Sequence, residues 1–539
     1  MSKKRATQER IERADGISSP ESFFASLWGR VRREWVVCFV SALACGFAAH
    51  FYKLANWLPN WDSLVFRHDA QNMTHLGRWF LSFACLPSSY YDLPWVCGFL
   101  AILYVAVSAV CICQLFRLRT NVAAALVGAL LATFPTLTST LTYCYVADGY
   151  CLAFLLAVVS AMLFNARGLR NLALGVVLLT LSLGIYQAYV SVTTTLLLVL
   201  QFEGLVFSRE RALVSIRRAG RFLVGGVCAS VAYVLILRLV LWLTNTELSD
   251  YLWAPGTENA WLDPLYFLRV FKSSVRKVVF FFVDVRGGLN LHVLMNALML
   301  ASLGTLVLRA AIHGRVFRSP VRTVVFLFYV AAAPVCACPL FLLNPGTNYH
   351  NLMTMGFLMI PVFFMTFYER RIFVKKSREV RKNWAVLALG ALLIYNFVLL
   401  ANISYHKLQL AFFSSFGEAV RIADRIEQTP GANTRWKLAV LGVKPDSAKW
   451  SAHVLLDVTG VTDGSLLRPD DNLVNQSVIT ATLNDYCQKN LHFATIDERR
   501  ALAEDPRVKA MPLWPDPGSV AVVDDFIVLR LSAGAGLYD

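Results

Sequence analysis

The sequence predicts a polytopic α-helical membrane protein with about eleven transmembrane helices and an α/β domain at its C-terminal end. The first observation is composition: 57% of the 539 residues are hydrophobic, only 16% are charged, and the mean hydropathy is +0.53. Such values are typical of integral membrane proteins. The second observation is a series of apolar runs, and the third is a shift to the composition of a soluble domain after residue 403.

Each apolar run is close to the ~20 residues that a helix needs to cross the hydrocarbon core. The runs fall at 35–52, 94–115, 121–141, 149–165, 171–187, 188–207, 220–243, 289–309, 322–343, 350–368 and 384–402. A single helix over 171–207 would be about 55 Å long, against a core of about 30 Å. We therefore predict two crossings there, with a reversal at Gly184–Tyr189, and eleven spans in all.

The formal net charge of +16 raises the question of a nucleic-acid partner. The Lys and Arg residues instead form short clusters between apolar runs, which is the pattern of cytoplasmic loops under the positive-inside rule. The segments that this rule places in the cytoplasm are much richer in Lys and Arg than the others. The N-terminus is therefore predicted inside, the C-terminus outside, and no nucleic acid is expected.

Three domains follow from this topology. Residues 1–34 form a basic cytoplasmic tail, residues 35–402 a transmembrane domain, and residues 403–539 an extracytoplasmic α/β domain. The transmembrane domain has two long outer loops, at 53–93 and 244–288. Because the cytoplasmic loops are short and carry no recognisable chemistry, we expect function at the outer face.

Shorter elements are predicted in the outer segments from periodicity and turn residues. They are an interfacial helix within Trp261–Val285, a helix at 407–428, a helix within Leu466–Asn490, and strands at Trp436–Val443 and Val520–Leu531.

Three carboxylates are candidates for proton transfer. Asp62 follows the first span, where partial desolvation favours a carboxylate that accepts a proton, although a solvated loop aspartate or helix cap is the ordinary alternative. Asp69 falls on the same face if Asp62–Met73 is helical. Asp148 stands at the outer end of the fourth span and needs a partner from another segment, unless it is a helix cap.

Basic residues in the same outer loops suit a phosphate group. Arg67 and Arg78 lie in the first loop with Asp62, and contact with lipid headgroups is their alternative role. Arg276 and Lys277 precede an aromatic run in the second loop, where they suit a phosphate held at the interface.

Polar residues in two short outer turns are candidates for contact with a sugar or acceptor. Tyr186 and Gln187 lie at the predicted reversal, where interfacial tyrosines are also ordinary. Asn348 and His350 lie in the last short turn. No metal-ligand spacing, P-loop or GxSxG motif occurs, so no metal or cofactor is expected. The residues alone leave lipid-phosphate chemistry and transport both open.

Several motifs together resemble the bacterial glucosyltransferase GtrII family. They are Asp62 near the first span, Gly77-Arg78-Trp79-Phe80-Leu81, Ser88-Ser89-Tyr90 with Leu93-Pro94-Trp95, Ala147-Asp148-Gly149-Tyr150, Gly184-Ile185-Tyr186-Gln187-Ala188-Tyr189, and Trp514-Pro515 with Gly518-Ser519-Val520. The likeness is strongest over residues 55–200. Each motif is weak alone, and their order and membrane placement make the set specific.

The resemblance implies a GT-C-type glycosyltransferase of the bacterial cytoplasmic membrane. Such an enzyme takes a sugar, here glucose, from an undecaprenyl-phosphate carrier and attaches it to a surface glycan such as an O-antigen repeat. It also implies a small flippase and a polyprenyl-phosphate glucosyltransferase as partners. The family's acidic base in the first outer loop corresponds to Asp62, with Asp69 second.

Two other classes compete with this interpretation. A transporter or flippase of a lipid-linked saccharide explains the spans and the basic residues, but the spans show no repeat symmetry. It also leaves the acid-rich first loop and the large outer domain unexplained. A structural membrane anchor would not need so many polar outer turns.

Overall fold

The structure is a computed structural model, and it describes residues 20–66, 69–249, 263–285, 290–433, 436–443 and 472–533. Arg67, most of the predicted tail (1–19), the middle of the second long loop (250–262) and residues 444–471 lie outside the described residues.

Helices dominate the described chain. They are α1 (Pro20–Trp28), α2 (Arg33–Ala55), α3 (Trp61–Val65), α4 (Leu81–Ala84), α5 (Pro94–Leu115), α6 (Asn121–Thr133), α7 (Pro135–Thr142), α8 (Cys144–Asn165), α9 (Leu169–Ile185), α10 (Val190–Val206), α11 (Ala212–Thr244), α12 (Tyr266–Phe282), α13 (Leu291–His313), α14 (Pro320–Ala337), α15 (Met359–Thr366), α16 (Lys376–Gln428), α17 (Asn472–Cys487), α18 (Ile496–Glu504) and α19 (Pro506–Lys509). Short 3₁₀ turns lie at Thr74–Leu76, Leu86–Ser88, Gln187–Tyr189, Val316–Arg318, Pro339–Leu342 and Asn351–Leu358.

Each predicted apolar run contains a helix. Among the described residues, nine helical segments are long and apolar enough to cross a membrane, with α6 and α7 counted as one segment. Two further apolar helices, Leu169–Ile185 and Asn351–Thr366, are shorter. The structure therefore supports a polytopic membrane protein, and the count of eleven spans stays a prediction.

The predicted break between the fifth and sixth runs is confirmed. Helix α9 ends at Ile185, Tyr186 has extended backbone angles, and a 3₁₀ turn at Gln187–Tyr189 leads into α10. A second break, which we did not predict, separates α6 from α7 at Phe134. Pro135 follows directly, and its missing N–H and fixed φ favour the start of a new helix there.

One predicted boundary is wrong. The fourth run was expected to begin at residue 149, with Tyr143–Asp148 as an outer turn. Helix α8 instead begins at Cys144. Asp148 therefore lies within the helix and is fully buried.

The connections between helices gather at two opposite ends of the bundle. We call one the basic end, formed by residues 116–120, 166–170, 207–211, 314–319 and 367–375. Its segments are linked to one another: the carboxylate of Glu369 accepts from the backbone N–H of Arg119 at 2.8 Å, and Arg322 donates to the Leu205 carbonyl at 2.6 Å. The other, loop-rich end is formed by the described parts of 56–93, 245–290 and 338–350.

Helix α16 runs without interruption from Lys376 to Gln428. The predicted last span and the predicted helix at 407–428 are thus one helix of 53 residues, about 80 Å long. The chain has no break at the predicted domain boundary near residue 403.

A four-stranded sheet follows α16. Its strands are β1 (Lys437–Leu441), β2 (His492–Phe493), β3 (Val520–Val523) and β4 (Phe526–Arg530), in the order β2-β1-β4-β3. Strand β1 is parallel to β2 and β4, while β3 and β4 are antiparallel. The single strand predicted at Val520–Leu531 is therefore a hairpin, because Asp524 adopts a left-handed turn conformation with φ of 53°. We call residues 436–443 and 472–533 the C-terminal unit.

The first long loop packs into the C-terminal unit. Leu64 of α3 is 3% exposed and shares a core with Ile422 of α16 and Val478 of α17. The Trp57 ring lies edge-on to Phe412 at 5.8 Å. Burial of these apolar side chains fixes α3 between the bundle and the C-terminal unit.

Candidate active site

A tight turn in the first long loop positions Arg78. Gly77 has φ of 78°, a conformation that glycine adopts without strain. The hydroxyl of Tyr233 donates to the Gly77 carbonyl at 3.0 Å, and the Gln187 amide donates to the Leu76 carbonyl at 2.9 Å. A Cβ at Gly77 would lie only 2.5 Å from the Tyr233 hydroxyl. The turn is thus pinned to α11 and to the break between α9 and α10.

Arg78 lies against two stacked tyrosines. Its Nη1 donates to the Tyr150 hydroxyl at 2.8 Å, and its guanidinium carbon lies 5.0 Å from the Tyr186 ring centre. The rings of Tyr150 and Tyr186 stack at 4.4 Å with an interplanar angle of 15°, and Tyr189 meets Tyr186 edge-on at 5.3 Å. We call these three rings the tyrosine platform. Together they hold the guanidinium by a charge-assisted hydrogen bond and by cation–π attraction.

Asp62 lies in the same region. Helix α3 begins with Asn60, whose side chain accepts from the Ser63 N–H at 2.9 Å, and Asp62 in its first turn is half-buried. Phe66, which follows α3, packs on Tyr145 at the start of α8 with 5.8 Å between the ring centres. Asp62 and Arg78 are both within electrostatic range of the Tyr145 hydroxyl. The predicted proton acceptor and the predicted phosphate-binding cation therefore lie in the same region.

Asp69 has a different environment. Helix α3 stops at Val65, so the condition that would place Asp69 on the face of Asp62 is not met. Asp69 is exposed, and its carboxylate accepts from the backbone N–H of Gln71 at 3.0 Å. It therefore shapes a local turn.

Asp148 is buried beneath α4. Among the described residues, no hydrogen bond of normal geometry reaches either carboxylate oxygen. Ser88 lies beside it, but the Ser88 hydroxyl donates to the Cys85 carbonyl at 2.9 Å. Burial and the neighbouring Asp148 charge raise the pKa of the Cys85 thiol above its ordinary value. Asp148 is fully enclosed, whereas Asp62 and Arg78 are partly exposed.

Helix α12 brings the other two predicted phosphate ligands to the loop-rich end. Lys277 is half-buried, and its Nζ lies 3.5 Å from the side-chain oxygen of Asn351. Arg276 is exposed and lies over the Phe280 ring at 5.4 Å. Of the two, Lys277 is directed toward the Asn351–Leu358 turn.

The turn that holds Asn348 and His350 also contains Tyr349, which lies near the tyrosine platform and was not predicted as a site residue. Asn348 is exposed and His350 half-exposed, whereas Tyr349 is 4% exposed and packs on Phe341 at 5.0 Å. Tyr349 and Tyr186 are close enough to interact electrostatically. Burial raises the pKa of Tyr349 well above its ordinary value, so its hydroxyl remains a hydrogen-bond donor.

Gln187 holds structure around the site. Its amide nitrogen donates both to Leu76 and to the Tyr233 hydroxyl, the second bond being 3.0 Å long. Tyr145, Tyr150 and Tyr233 were not predicted. Tyr150 belongs to the Ala147-Asp148-Gly149-Tyr150 motif, and Tyr145 lies just before the fourth apolar run, whereas Tyr233 lies inside the run at 220–243 and has no distinguishing signal.

Two buried residues of opposite charge, Lys53 and Asp92, lie at the two ends of the loop and were also missed. Lys53 is 1% exposed and donates to the Leu58 carbonyl at 2.6 Å. Asp92 is 6% exposed and accepts from the Trp57 indole at 3.2 Å. Both charges act on Cys144. This pair stabilises both ends of the loop that carries Asp62 and Arg78.

Fold and site together define a polytopic membrane protein. At one end of its bundle it has a carboxylate, a guanidinium and stacked tyrosines. The chain belongs to the glucosyl transferase GtrII family, whose model matches residues 51–367. The predicted resemblance is confirmed, and the protein is a membrane glycosyltransferase. Neither the curated proteins nor the solved structures gave a match to this chain.

The matched range contains every candidate site residue. It ends after α15, so the whole of α16 and the whole C-terminal unit lie beyond it. The likeness at Trp514-Pro515 and Gly518-Ser519-Val520 therefore stays a prediction.

Proposed function

We propose that the protein transfers glucose from an undecaprenyl-phosphate carrier to a surface glycan at the outer face of the bacterial cytoplasmic membrane. The observation that carries this proposal is the Arg78 guanidinium held against Tyr150 and Tyr186, in the same loop that carries Asp62. A transfer from a lipid phosphate needs a proton acceptor and a positive charge near the leaving group. Family membership supports glucose as the sugar. The GT-C assignment and the outward orientation are parts of the same proposal.

The proposed reaction is a direct displacement. The acceptor hydroxyl attacks the anomeric carbon, and its proton passes to Asp62. The bond between the anomeric carbon and the phosphate oxygen breaks, and the electron pair leaves with the lipid phosphate. Arg78 stabilises the charge on that oxygen. Attack opposite the leaving group inverts the anomeric centre.

The surrounding residues have supporting roles in this proposal. The tyrosine platform fixes the orientation of the guanidinium before the substrate binds, which reduces the reorganisation needed in the transition state. Lys277 and Arg276 offer further positive charge for the donor phosphate. Asn348 and His350 remain the proposed contacts to the sugar or acceptor, together with Tyr186.

The test uses the purified full-length protein with synthetic undecaprenyl-phosphate glucose and a polysaccharide acceptor. Release of undecaprenyl phosphate and labelling of the acceptor are both measured. Asp62→Asn keeps the shape and removes the proton acceptor, so turnover should fall about 10²–10⁴-fold. Its thermal unfolding should stay close to that of the wild type.

The matched control is Asp69→Asn, which retains an oxygen that can accept from Gln71 and should keep most of the activity. If Asp62→Asn turns over normally while Asp148→Asn is inactive, the base is misassigned. If the wild type releases no lipid phosphate, the proposed donor is wrong.

A further inference from the structure

A large open groove lies at the basic end of the bundle, away from the candidate active site. It is lined by α13, α16 and the segment between α15 and α16, and its volume is about 1300 Å³. That is more than the roughly 300–1,000 Å³ of ordinary small-molecule pockets. Its size indicates a bulky ligand.

The groove has an apolar floor and apolar walls. Phe364, Val386 and Leu306 are buried and form part of the floor. Leu298 and Leu392 on the walls are 45% and 52% exposed. Both helices that form the walls are candidate membrane spans. The exposed apolar surface therefore faces the region that lipid chains occupy.

The groove is closed toward the loop-rich end and open toward the basic end. His292 on α13 lies 2.9 Å from the Asn296 amide and 3.1 Å from the Asn396 amide of α16, so the two helices touch there. Farther along, Ile372 and Phe373 also line the groove, and Val374 beside them is 89% exposed.

The open end has a strongly basic lining. Its basic residues are Arg309, His313, Lys375, Arg378, Arg381 and Lys382. The described residues that line the groove include no Asp or Glu. An anionic group at this end would therefore meet positive charge on several sides.

A carboxylate close to these basic residues, Glu379, is already engaged. Glu379 pairs with Lys382 at 2.8 Å and accepts from the backbone N–H of Ile372 at 2.9 Å. Within the described chain, Arg309 and Arg378 make no ion pair, and Arg309 rests over the Phe373 ring at 5.8 Å. Their charges are thus available at the mouth of the groove.

We propose that this groove binds an anionic phospholipid, with the acyl chains along the apolar walls and the phosphate at the basic mouth. Charge complementarity selects the anionic headgroup, and the apolar lining selects the chains. This proposal does not depend on the proposed donor or reaction.

The experiment titrates phosphatidylglycerol into the purified full-length protein in detergent and measures bound lipid by native mass spectrometry. Phosphatidylcholine with the same acyl chains is titrated in parallel. The wild type should bind phosphatidylglycerol at least about thirtyfold more tightly, because each basic residue near an anionic headgroup contributes about fivefold and at least two lie at the mouth. The double variant Arg378→Gln/Arg381→Gln should lose about thirtyfold for phosphatidylglycerol and little for phosphatidylcholine.

Two further variants separate the groove from general surface charge. Arg167→Gln/Arg170→Gln removes two exposed charges from the same end of the bundle, outside the groove, and should not change binding. Ala388→Trp fills the apolar part from an exposed position and should weaken both lipids. Equal binding of both lipids by the wild type, or equal losses in the two double variants, would overturn the proposal. Displacement of the lipid by inorganic phosphate alone would also overturn it.

Discussion

Leu64→Ala tests whether the C-terminal unit holds the first loop in its working position. Leu64 is 3% exposed and lies in a core shared with α16 and α17. Truncation of a buried leucine costs about 2–5 kcal/mol, and a value of about 3 kcal/mol corresponds to more than a hundredfold change in an equilibrium constant. The equilibrium constant for docking of α3, which places Asp62 correctly, should fall by that factor.

The assay compares sugar transfer with thermal unfolding for Leu64→Ala and two controls. Val65→Ala changes the next residue of α3, which is 37% exposed, and should have little effect on either measurement. Leu502→Ala truncates a buried leucine in a separate core that contains Leu441 and Val528. It should destabilise the C-terminal unit to a similar degree without loss of transfer at temperatures where the protein is folded.

The decisive comparison is between the two leucine variants. If Leu64→Ala and Leu502→Ala lose transfer equally, the effect is one of general stability. If Leu64→Ala keeps normal transfer and normal unfolding, the packing of α3 does not position Asp62 and the reasoning is refuted.

Two other variants test the turn and the cation that it carries. Gly77→Ala should destabilise the protein by about 1–3 kcal/mol and reduce transfer, because Gly77 has a positive φ and the added Cβ would clash with the Tyr233 hydroxyl. Gly431 also has a positive φ, of 81°, but open space around its Cβ position, so Gly431→Ala should show only the smaller backbone cost in thermal unfolding. Arg78→Lys keeps the positive charge but loses the planar guanidinium on the tyrosine platform, so the KM for the donor should rise at least tenfold. Tyr150→Phe should raise the same KM by a smaller factor. Unchanged donor kinetics in Arg78→Lys would place the phosphate elsewhere.

The helical segments could be predicted well because a helix that crosses a membrane requires a long run of apolar residues, which is visible in the sequence. Every apolar run contains a helix, and the break near Tyr186 follows from length alone. Helix boundaries were harder to predict. Tyr143, which precedes α8, makes no side-chain cap hydrogen bond, whereas Asp148 was a possible helix cap, so the start of α8 at Cys144 was missed and Asp148 was expected in a turn.

The candidate site was predicted in part. Asp62 and Arg78 stood out because charge is rare in an apolar chain. Tyr186 was predicted, but its stacking on Tyr150 could not be, since Tyr150 lies on α8 and Tyr186 at the break between α9 and α10, and no local pattern links them. Docking of α3 on the C-terminal unit depends on contacts between residues hundreds of positions apart. Local sequence patterns do not predict such contacts.

The uninterrupted helix α16 sets the distance and the rotation between the transmembrane bundle and the C-terminal unit. Tyr405 is fixed to His50 of α2 by a 2.8 Å hydrogen bond, and Ile422 is fixed in the C-terminal core. One residue inserted between them would rotate the C-terminal unit by about 100° and raise it by about 1.5 Å. Seven residues would nearly restore the angle but raise the unit by about 10 Å, away from Leu64. The length of α16 therefore fixes both the rotation of the C-terminal unit and its distance from the bundle. A C-terminal unit grafted from another protein would have to preserve the number of residues in this helix.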